Sequence, residues 1–214
     1  MDFSGDPLVD VIDHPLIRHK LALLRDRATD PAHFRILMRD VGRLLAADVA
    51  RHLPQISASV ETPLERLDIR VLDERRIVLV AILRAGIGLL DGLLDLLPEA
   101  RVGHIGMLRD PESLHAREYY LNLPDELEHR DVVLIDPMLA TGHTATAALT
   151  RIREHRPRSL CFVSLLAAPE GIAELRAEHP KVRILTTSID RQLDAKGYIR
   201  PGLGDAGDRL FGTG

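Results

Sequence analysis

Residues 131–146 read Asp-Val-Val-Leu-Ile-Asp-Pro-Met-Leu-Ala-Thr-Gly-His-Thr-Ala-Thr. Val132 to Asp136 has the apolar continuity of a strand covered on both faces, and it ends in a carboxylate. Met138 to Gly142 then reads as a small-residue turn, and Thr144 opens an amphipathic helix. The first amides of such a helix lack intrahelical partners and carry the positive end of the helix dipole behind them, so the turn is a cradle for phosphate. Gly142 lets backbone approach an anion, Thr141 and Thr144 add hydroxyl donors, and Asp136 at the strand tip can face a sugar or a metal. A site built for phosphate alone would avoid that negative charge, so the expected ligand carries hydroxyls as well. A threonine-glycine turn that merely caps a helix is the simpler alternative. The apolar strand, the acid and the loop in register favour the ligand.

Outward from this unit the pattern repeats. Ile77 to Leu83 is an unbroken apolar strand running into Arg84-Ala85-Gly86-Ile87-Gly88 and a leucine-rich helix to about Leu97. Val102 to Leu108 is another strand, closed by Arg109 and followed by a polar segment that leads to Tyr119-Tyr120-Leu121-Asn122; we expect a mobile lid there. Ser159 to Leu166 and Val182 to Thr187 supply further buried strands, with a helix beginning around Pro169 between them. The alternation predicts an α/β fold with a doubly wound, mainly parallel sheet flanked by helices. In such sheets ligands sit at the carboxyl ends of the strands, so Arg84 and Asp136 can share one cleft, and Arg109 ends its strand as Arg84 does. The arginines would hold phosphate oxygens bidentately.

The flanks complete a single domain over residues 1–214. Two helices are expected within 14–52, the second capped by Asp30 with Pro31 at its first position. Alternating Ile56, Ala58, Val60 and Leu67, Ile69, Val71 predict a two-stranded β-arm over 56–72, ahead of a core over 76–190. A C-terminal segment spans 191–214; its tail, Gly197 to Gly214, is too rich in Gly and Asp for a helix or strand, and composition alone makes it a disordered terminus.

Composition narrows the function classes. The chain has 214 residues, 45% hydrophobic and 28% charged, with a formal net charge of −4. Only 3% of residues are aromatic and there is no Trp, which argues against single-stranded nucleic-acid binding by base stacking. No apolar run reaches membrane-spanning length and the start lacks a signal-peptide pattern, so a cytoplasmic protein is expected. Cys161 is the single cysteine and reads as a small core residue. Ten histidines show no metal-ligand spacing.

The run Asp-Pro-Met-Leu-Ala-Thr-Gly at 136–142 resembles the phosphoribosyl pyrophosphate loop of the uracil phosphoribosyltransferase family, within the type I phosphoribosyltransferases. Ile-Leu-Arg-Ala-Gly at 82–86 is similar to the family's pyrophosphate loop, and Tyr-Ile-Arg-Pro-Gly-Leu-Gly-Asp-Ala-Gly-Asp at 198–208 to its uracil-binding signature. His14-Pro15-Leu16 and Lys20 match its opening, so the resemblance spans nearly the whole chain. It implies conversion of uracil and phosphoribosyl pyrophosphate to UMP and pyrophosphate in pyrimidine salvage. Arg84, Arg109, Asp136 and Asp205 would be catalytic, and phosphoribosyl pyrophosphate would lie against Arg84, Arg109, Asp205 and the run Asp136, Pro137, Met138, Leu139, Ala140, Thr141, Gly142, His143 and Thr144. Uracil would meet Ile199, Gly204, Asp205 and Ala206. The resemblance also implies Mg²⁺ held through the substrate and water with Asp205 in reach, GTP as an activator in some members, and a homodimer or larger homo-oligomer joined through the arm. The chain departs from the family at His143, where Gly is usual, at Asn122, where Lys is common, and at His115-Ala116-Arg117, which replaces a proline-containing approach to the tyrosines. A uracil- or UMP-sensing homologue without turnover is the alternative.

Overall fold

The computed structural model describes residues 3, 5–109 and 116–213. Its first strand, β1 (Val9–Val11), precedes helices α1 (Pro15–Arg25) and α2 (Pro31–Arg51). His14 Nδ1 accepts from the Leu16 amide at 3.2 Å and Asp30 from the His33 amide at 2.9 Å, so each helix begins where a side chain replaces a missing backbone acceptor. Then come β2 (Gln55–Glu61), β3 (Arg66–Leu72), β4 (Ile77–Leu83), α3 (Ile87–Leu96), β5 (Arg101–Arg109), β6 (Ala116–Asn122) and β7 (Asp131–Ile135). The chain continues through β8 (Met138–Leu139), α4 (His143–Arg153), β9 (Ser159–Val163), β10 (Leu166–Ala167), α5 (Pro169–Glu178) and β11 (Arg183–Thr186). It ends with β12 (Ser188–Ile189), β13 (Gln192–Leu193), β14 (Ile199–Arg200) and α6 (Ala206–Phe211).

The main sheet has the order β1-β11-β9-β7-β4-β5-β6, parallel except for β6. The apolar run of β4 follows from its position. Leu79 and Ala81 enter the core shared with α1, α2, α3 and α6, whereas Val78, Val80 and Ile82 enter the opposite core under α4 and α5. Every one of these side chains leaves water, each Val, Leu or Ile contributing roughly 1.5–3 kcal/mol, so neither face can be polar. Cys161 in β9 is partly buried against the first of these cores, and burial pushes its thiol up to about 12.

Helices α2 and α3 cross at a glycine contact. A Cβ on Gly92 would stand 2.1 Å from the Arg39 carbonyl oxygen, a backbone atom that cannot swing away. We expect Gly92→Ala to lower stability by about 2–3 kcal/mol, seen as a lower urea midpoint with unchanged slope. A midpoint equal to the wild type would mean that the helices part at little cost.

Several boundaries differ from the sequence expectation. Met138 and Leu139 form β8 rather than part of a turn, pairing with Leu166 and Ala167, which pair in turn with Ser188 and Ile189. The run from Ser159 to Leu166 is therefore two strands. The Ser164 amide still bonds Leu185, but the Leu165 and Leu166 amides turn to the Pro137 carbonyl. Apolar composition continues through the break because both pieces are buried, which hides the bend. Helix α4 starts one residue early, at His143. Residues 116–122, expected within or just after the polar lid, are instead the antiparallel edge strand β6, with a bulge at Gly106/Met107 of β5. The lid's remaining positions, 110–115, including His115, lie outside the described residues. The C-terminal segment is ordered into β14 and α6, against its composition, because Asp205 caps the helix by accepting from the Asp208 amide at 2.9 Å. The expected arm is present, with Ile56 opposite Val71, Ala58 opposite Ile69 and Val60 opposite Leu67.

Candidate active site

The carboxyl ends of β4 and β7 are neighbours, which brings the loops after Leu83 and Ile135 together. Asp136 leaves β7 with its amide bonded to the Val163 carbonyl at 3.1 Å, and its carboxylate accepts from the Met138 amide at 3.4 Å. Burial pushes its carboxyl up to about 7 against that single compensating amide, and the negative charge of Asp205 pushes the same way. Such a group is divided between acid and carboxylate at neutral pH and will take up a cation or a hydroxyl donor readily.

Downstream of Asp136 the loop divides its tasks. Pro137 and Leu139 are buried and their carbonyls accept from Leu165, Leu166 and Ala168, so they anchor the loop to β10. Met138 and Ala140 face the cavity. Gly142 caps α4 at φ 86°, a conformation that a side chain would strain, and the first bond inside the helix runs from the Thr146 amide to the Gly142 carbonyl. The amides of His143 and Thr144 thus come before the bonded turn, as a phosphate cradle requires. The His143 side chain is exposed, which leaves the amide edge to a ligand.

The C-terminal segment closes the cleft from the other side. Asp136, Met138, Ala140 and Ala85 line a cavity of about 240 Å³ together with residues from Gly197 to Ile199 and from Gly204 to Gly207. Drug-sized ligands occupy about 300–1,000 Å³, so this space suits a small planar group held largely by main chain. Ala206 and Gly207 precede the first bond inside α6, from the Arg209 amide to the Asp205 carbonyl, so their amides are at the open end of that helix. Arg84 stands at the rim, more than half exposed, 3.8 Å from an Asp208 oxygen and with its guanidinium carbon 5.5 Å from the centre of the Phe211 ring. Arg109 ends β5 on the same side of the sheet, and its side chain lies outside the described residues. Asp136, Met138, Ala140, Ile199, Gly204, Asp205 and Ala206 therefore border one space, about 60 residues apart in sequence for the two halves, whereas Arg84, Pro137, Leu139 and Thr141 to Thr144 do not line it.

A family model described as uracil phosphoribosyltransferase matches residues 11–213. The chain belongs to that family. Relatives named uracil phosphoribosyltransferase include one from Variovorax paradoxus, 52% identical over 96% of this chain and 98% of its own length. Another, from Myxococcus xanthus, is 54% identical over 97% of this chain and 98% of its own. Among solved structures, the AQ2163 protein of Aquifex aeolicus superposes with a TM-score of 0.91 at 38% identity, covering 96% of this chain and 98% of that one. A Staphylococcus aureus hypoxanthine phosphoribosyltransferase shares the fold, with a TM-score of 0.50 at 15% identity over 77% and 83% of the two chains. The matched span takes in the loops after β4 and β7 and the C-terminal segment.

Two residues that position the site have no motif of their own. Arg25, the last residue of α1, donates to both oxygens of Asp190 at 2.6 Å and to the Gly202 carbonyl at 2.8 Å. Asp190 accepts in return from the Gly202 amide at 2.8 Å. This closed set of bonds ties the C-terminal loop to the front of the chain just before Gly204 and Asp205. Nothing local in Leu23-Leu24-Arg25-Asp26 or Ser188-Ile189-Asp190 announces it, because the partners are 165 residues apart. Gly197, Tyr198, Gly207 and Ala85 also line the cavity; Tyr198, Gly207 and Ala85 lie within the quoted motifs without having been named as site residues, and Gly197 lies just outside them.

Proposed function

We propose that this chain transfers the phosphoribosyl group of phosphoribosyl pyrophosphate to uracil, releasing pyrophosphate and forming UMP in pyrimidine salvage. The observation that carries the reading is the single small cavity bounded by Asp136, Met138 and Ala140 on one side and by Ile199 and Gly204 to Gly207 on the other. The first part of the loop after β7, at Asp136, Met138 and Ala140, and the C-terminal segment face one space, and the relatives' printed names suggest the substrate.

Uracil presents two carbonyl acceptors flanking one N–H donor. Main-chain groups of Ile199, Gly204 and Ala206 meet that pattern without a side chain that could rotate. Cytosine offers a donor where uracil has an acceptor and would leave a buried partner unpaired, which selects strongly against it. The amides at Thr141 to Thr144 hold the 5′-phosphate, Asp136 accepts from the ribose hydroxyls, and Arg84 and Arg109 hold pyrophosphate oxygens. Uracil N1 displaces pyrophosphate at the anomeric carbon, the carbon–oxygen bond to pyrophosphate breaking and the N1 proton leaving with the pyrophosphate or to water, as positive charge grows on the ribose ring and the Asp136 carboxylate stabilises that charge. Catalysis rests on positioning and electrostatics. We expect no ribosyl-enzyme intermediate, and mass spectrometry revealing one during turnover would refute direct transfer.

The donors suit Mg²⁺ bound through substrate rather than a protein cage. Among the described residues no set of three or more His, Cys, Asp or Glu is placed to hold a metal, yet the partly protonated Asp136 and the exposed Asp205 border the same cavity. Magnesium takes one or two carboxylates with phosphate and water, and when bound it would neutralise charge on the departing pyrophosphate. GTP is proposed as an activator only by analogy with members of the family. We place the protein in the cytoplasm; among the described residues no helix is long and apolar enough to cross a membrane.

We further propose a homodimer joined through the arm. Ile56, Val60, Leu67 and Ile69 are each more than 40% exposed on one face of an isolated ribbon, and such a ribbon is marginal in water without a covering surface. Sedimentation should give at least a dimer at micromolar concentration, and Leu67→Glu with Ile69→Lys should shift it toward monomer. A wild-type monomer would overturn the assembly.

The test of the activity is an assay with labelled uracil, phosphoribosyl pyrophosphate and Mg²⁺, with and without GTP. UMP and pyrophosphate should appear in equal amounts. Binding of uracil without either product would overturn the transferase reading.

A further inference from the structure

Arg209, in α6, is a half-buried cation whose side-chain donations, among the described residues, all go to main-chain carbonyls rather than to an acid. Its Nη1 donates to the Leu24 carbonyl and, at 2.9 Å, to that of Leu203. Its Nη2 donates to the carbonyls of Asp26 at 2.5 Å and Thr29 at 3.4 Å. The guanidinium carbon lies 4.5 Å from the centre of the Phe34 ring. Burial pulls the pKa of this group below its ordinary value, with the charge of Asp26 opposing.

The end of α1 takes the place of the acid. Leu24 belongs to the last turn of that helix, whose carbonyls have no following helical amide to accept from and carry the negative end of the dipole. The ring face adds its own attraction for a cation. A lysine ammonium concentrates its donors at one point, whereas the planar fork of a guanidinium can span carbonyls on separate segments. These contacts account for a cation at position 209. They do not account for the bond to Leu203, which belongs to the C-terminal segment.

That bond bears on the pocket directly. Gly202 and Leu203 offer consecutive carbonyls, and each is taken by a different guanidinium, Arg25 at 2.8 Å and Arg209 at 2.9 Å. In a planar trans peptide the carbonyl oxygen and the N–H of the next residue point in opposite directions. Holding the Leu203 oxygen against Arg209 therefore turns the Gly204 N–H the other way, and Gly204 lines the pocket. Arg209 Cδ also lies 3.8 Å from where a Cβ on Gly204 would stand, so the arginine stem supports the same turn. Helix α6 is held independently at its far end, where Arg35 Nη1 donates to the Leu210 carbonyl at 2.9 Å. Loss of the Arg209 bonds would free the Gly204 peptide and leave that hold on the helix in place.

We propose that Arg209 is a positioning residue for the base: by tying the Leu203 carbonyl to the end of α1, it fixes the direction in which the Gly204 amide donates. It acts through that peptide and touches no substrate itself. The identity of the base as uracil rests on the function proposed above, whereas the tie between Arg209 and the Gly204 peptide does not. A contribution to stability alone would weaken both substrates alike.

Steady-state kinetics and amide hydrogen exchange on the full chain test this with Arg209→Ala and Arg209→Lys. Arg209→Ala should raise the KM for uracil at least ~10-fold and leave that for phosphoribosyl pyrophosphate within about twofold. Arg209→Lys, which keeps the charge and fewer of the bonds, should fall between alanine and wild type, and it carries the test if the alanine variant folds poorly. Exchange should quicken at the amides of residues 203–207 and stay unchanged at 138–144. An unchanged KM for uracil in the folded variants, or equal rises in both constants, would overturn the proposal. Unchanged exchange over 203–207 would do the same. A wild type that makes no UMP would defeat the uracil reading instead, and exchange would still decide the tie: quickening confined to 203–207 upholds it, and its absence removes it.

Discussion

Asp136→Asn is expected to reduce turnover by at least ~100-fold while making the free protein more stable above neutral pH. The two effects share one cause. Burial, with Asp205 nearby, raises the Asp136 carboxyl from 3.8 to about 7, so the folded chain resists the charged form that the unfolded chain adopts freely. The sign follows from proton linkage. Below pH 3.8 both states hold the proton and folding pays nothing; as pH rises to about 7 the unfolded state loses its proton first, and folding stability falls by on the order of 4 kcal/mol. Asparagine carries no charge to bury and can still accept from the Met138 amide, so the penalty disappears. What it loses is the carboxylate that meets the ribose hydroxyls and the growing positive charge. Urea denaturation at pH 5 and pH 8, set beside turnover, checks both halves. A variant no more stable than wild type at pH 8, or one that retains turnover, would refute the account. Ligand binding should draw Asp136 to its charged form, so phosphoribosyl pyrophosphate should release protons near pH 7, readable by calorimetry in buffers of different ionisation enthalpy.

The second large effect is expected at Asp190→Ala. Its side chain is 3% exposed, and Arg25, 24% exposed, is left facing an emptied partner. Removing one member of a buried pair typically costs about 3–5 kcal/mol, because the remaining charge stays desolvated. The Gly202 amide loses its acceptor at the same time. The loop that carries Gly204 and Asp205 is thereby released, and the KM for uracil should rise at least ~10-fold, as a one-ångström misplacement of a positioning loop can produce. The KM for phosphoribosyl pyrophosphate should change little, since the loop at 136–144 is anchored through Leu165, Leu166 and Ala168 instead. Equal changes in both constants would point to general unfolding rather than loss of this anchor. Burial alone would raise the Asp190 carboxyl, but Arg25, the Gly202 amide and Ser188 outweigh it and hold it below 3.8. Its stabilisation is therefore present above the unfolded value and fades as pH falls through the lower folded one, so the gap between wild type and variant should narrow below about pH 4.

Much of this molecule follows from sequence by itself. Val132 to Ile135 and Ile77 to Leu83 could be recognised as strands because burial on both faces removes every polar residue from them. His14, Asp30, Pro15 and Pro31 mark helix starts because each meets a local backbone need. The strand end, turn and helix start at 131–146 were legible for the same reason: an acid, a glycine and a helix start lie within about ten residues, and the forces that place them are local. The C-terminal signature was legible only through resemblance, since its composition argues for disorder.

Only the tertiary structure decided the rest, wherever the energy comes from partners distant in sequence. The bends that turn β7, β9 and β11 into β8, β10 and β12 are hydrogen-bond exchanges between strands, and apolar side chains are indifferent to them. Residues 116–122 became an edge strand because β5 offers its backbone, which a polar stretch cannot reveal. The raised pKa of Asp136 depends on how thoroughly its neighbours exclude water. Arg25 and Asp190 read as two ordinary charges until folding buries Asp190, largely buries Arg25 and makes each the other's only ion-pair partner among the described residues.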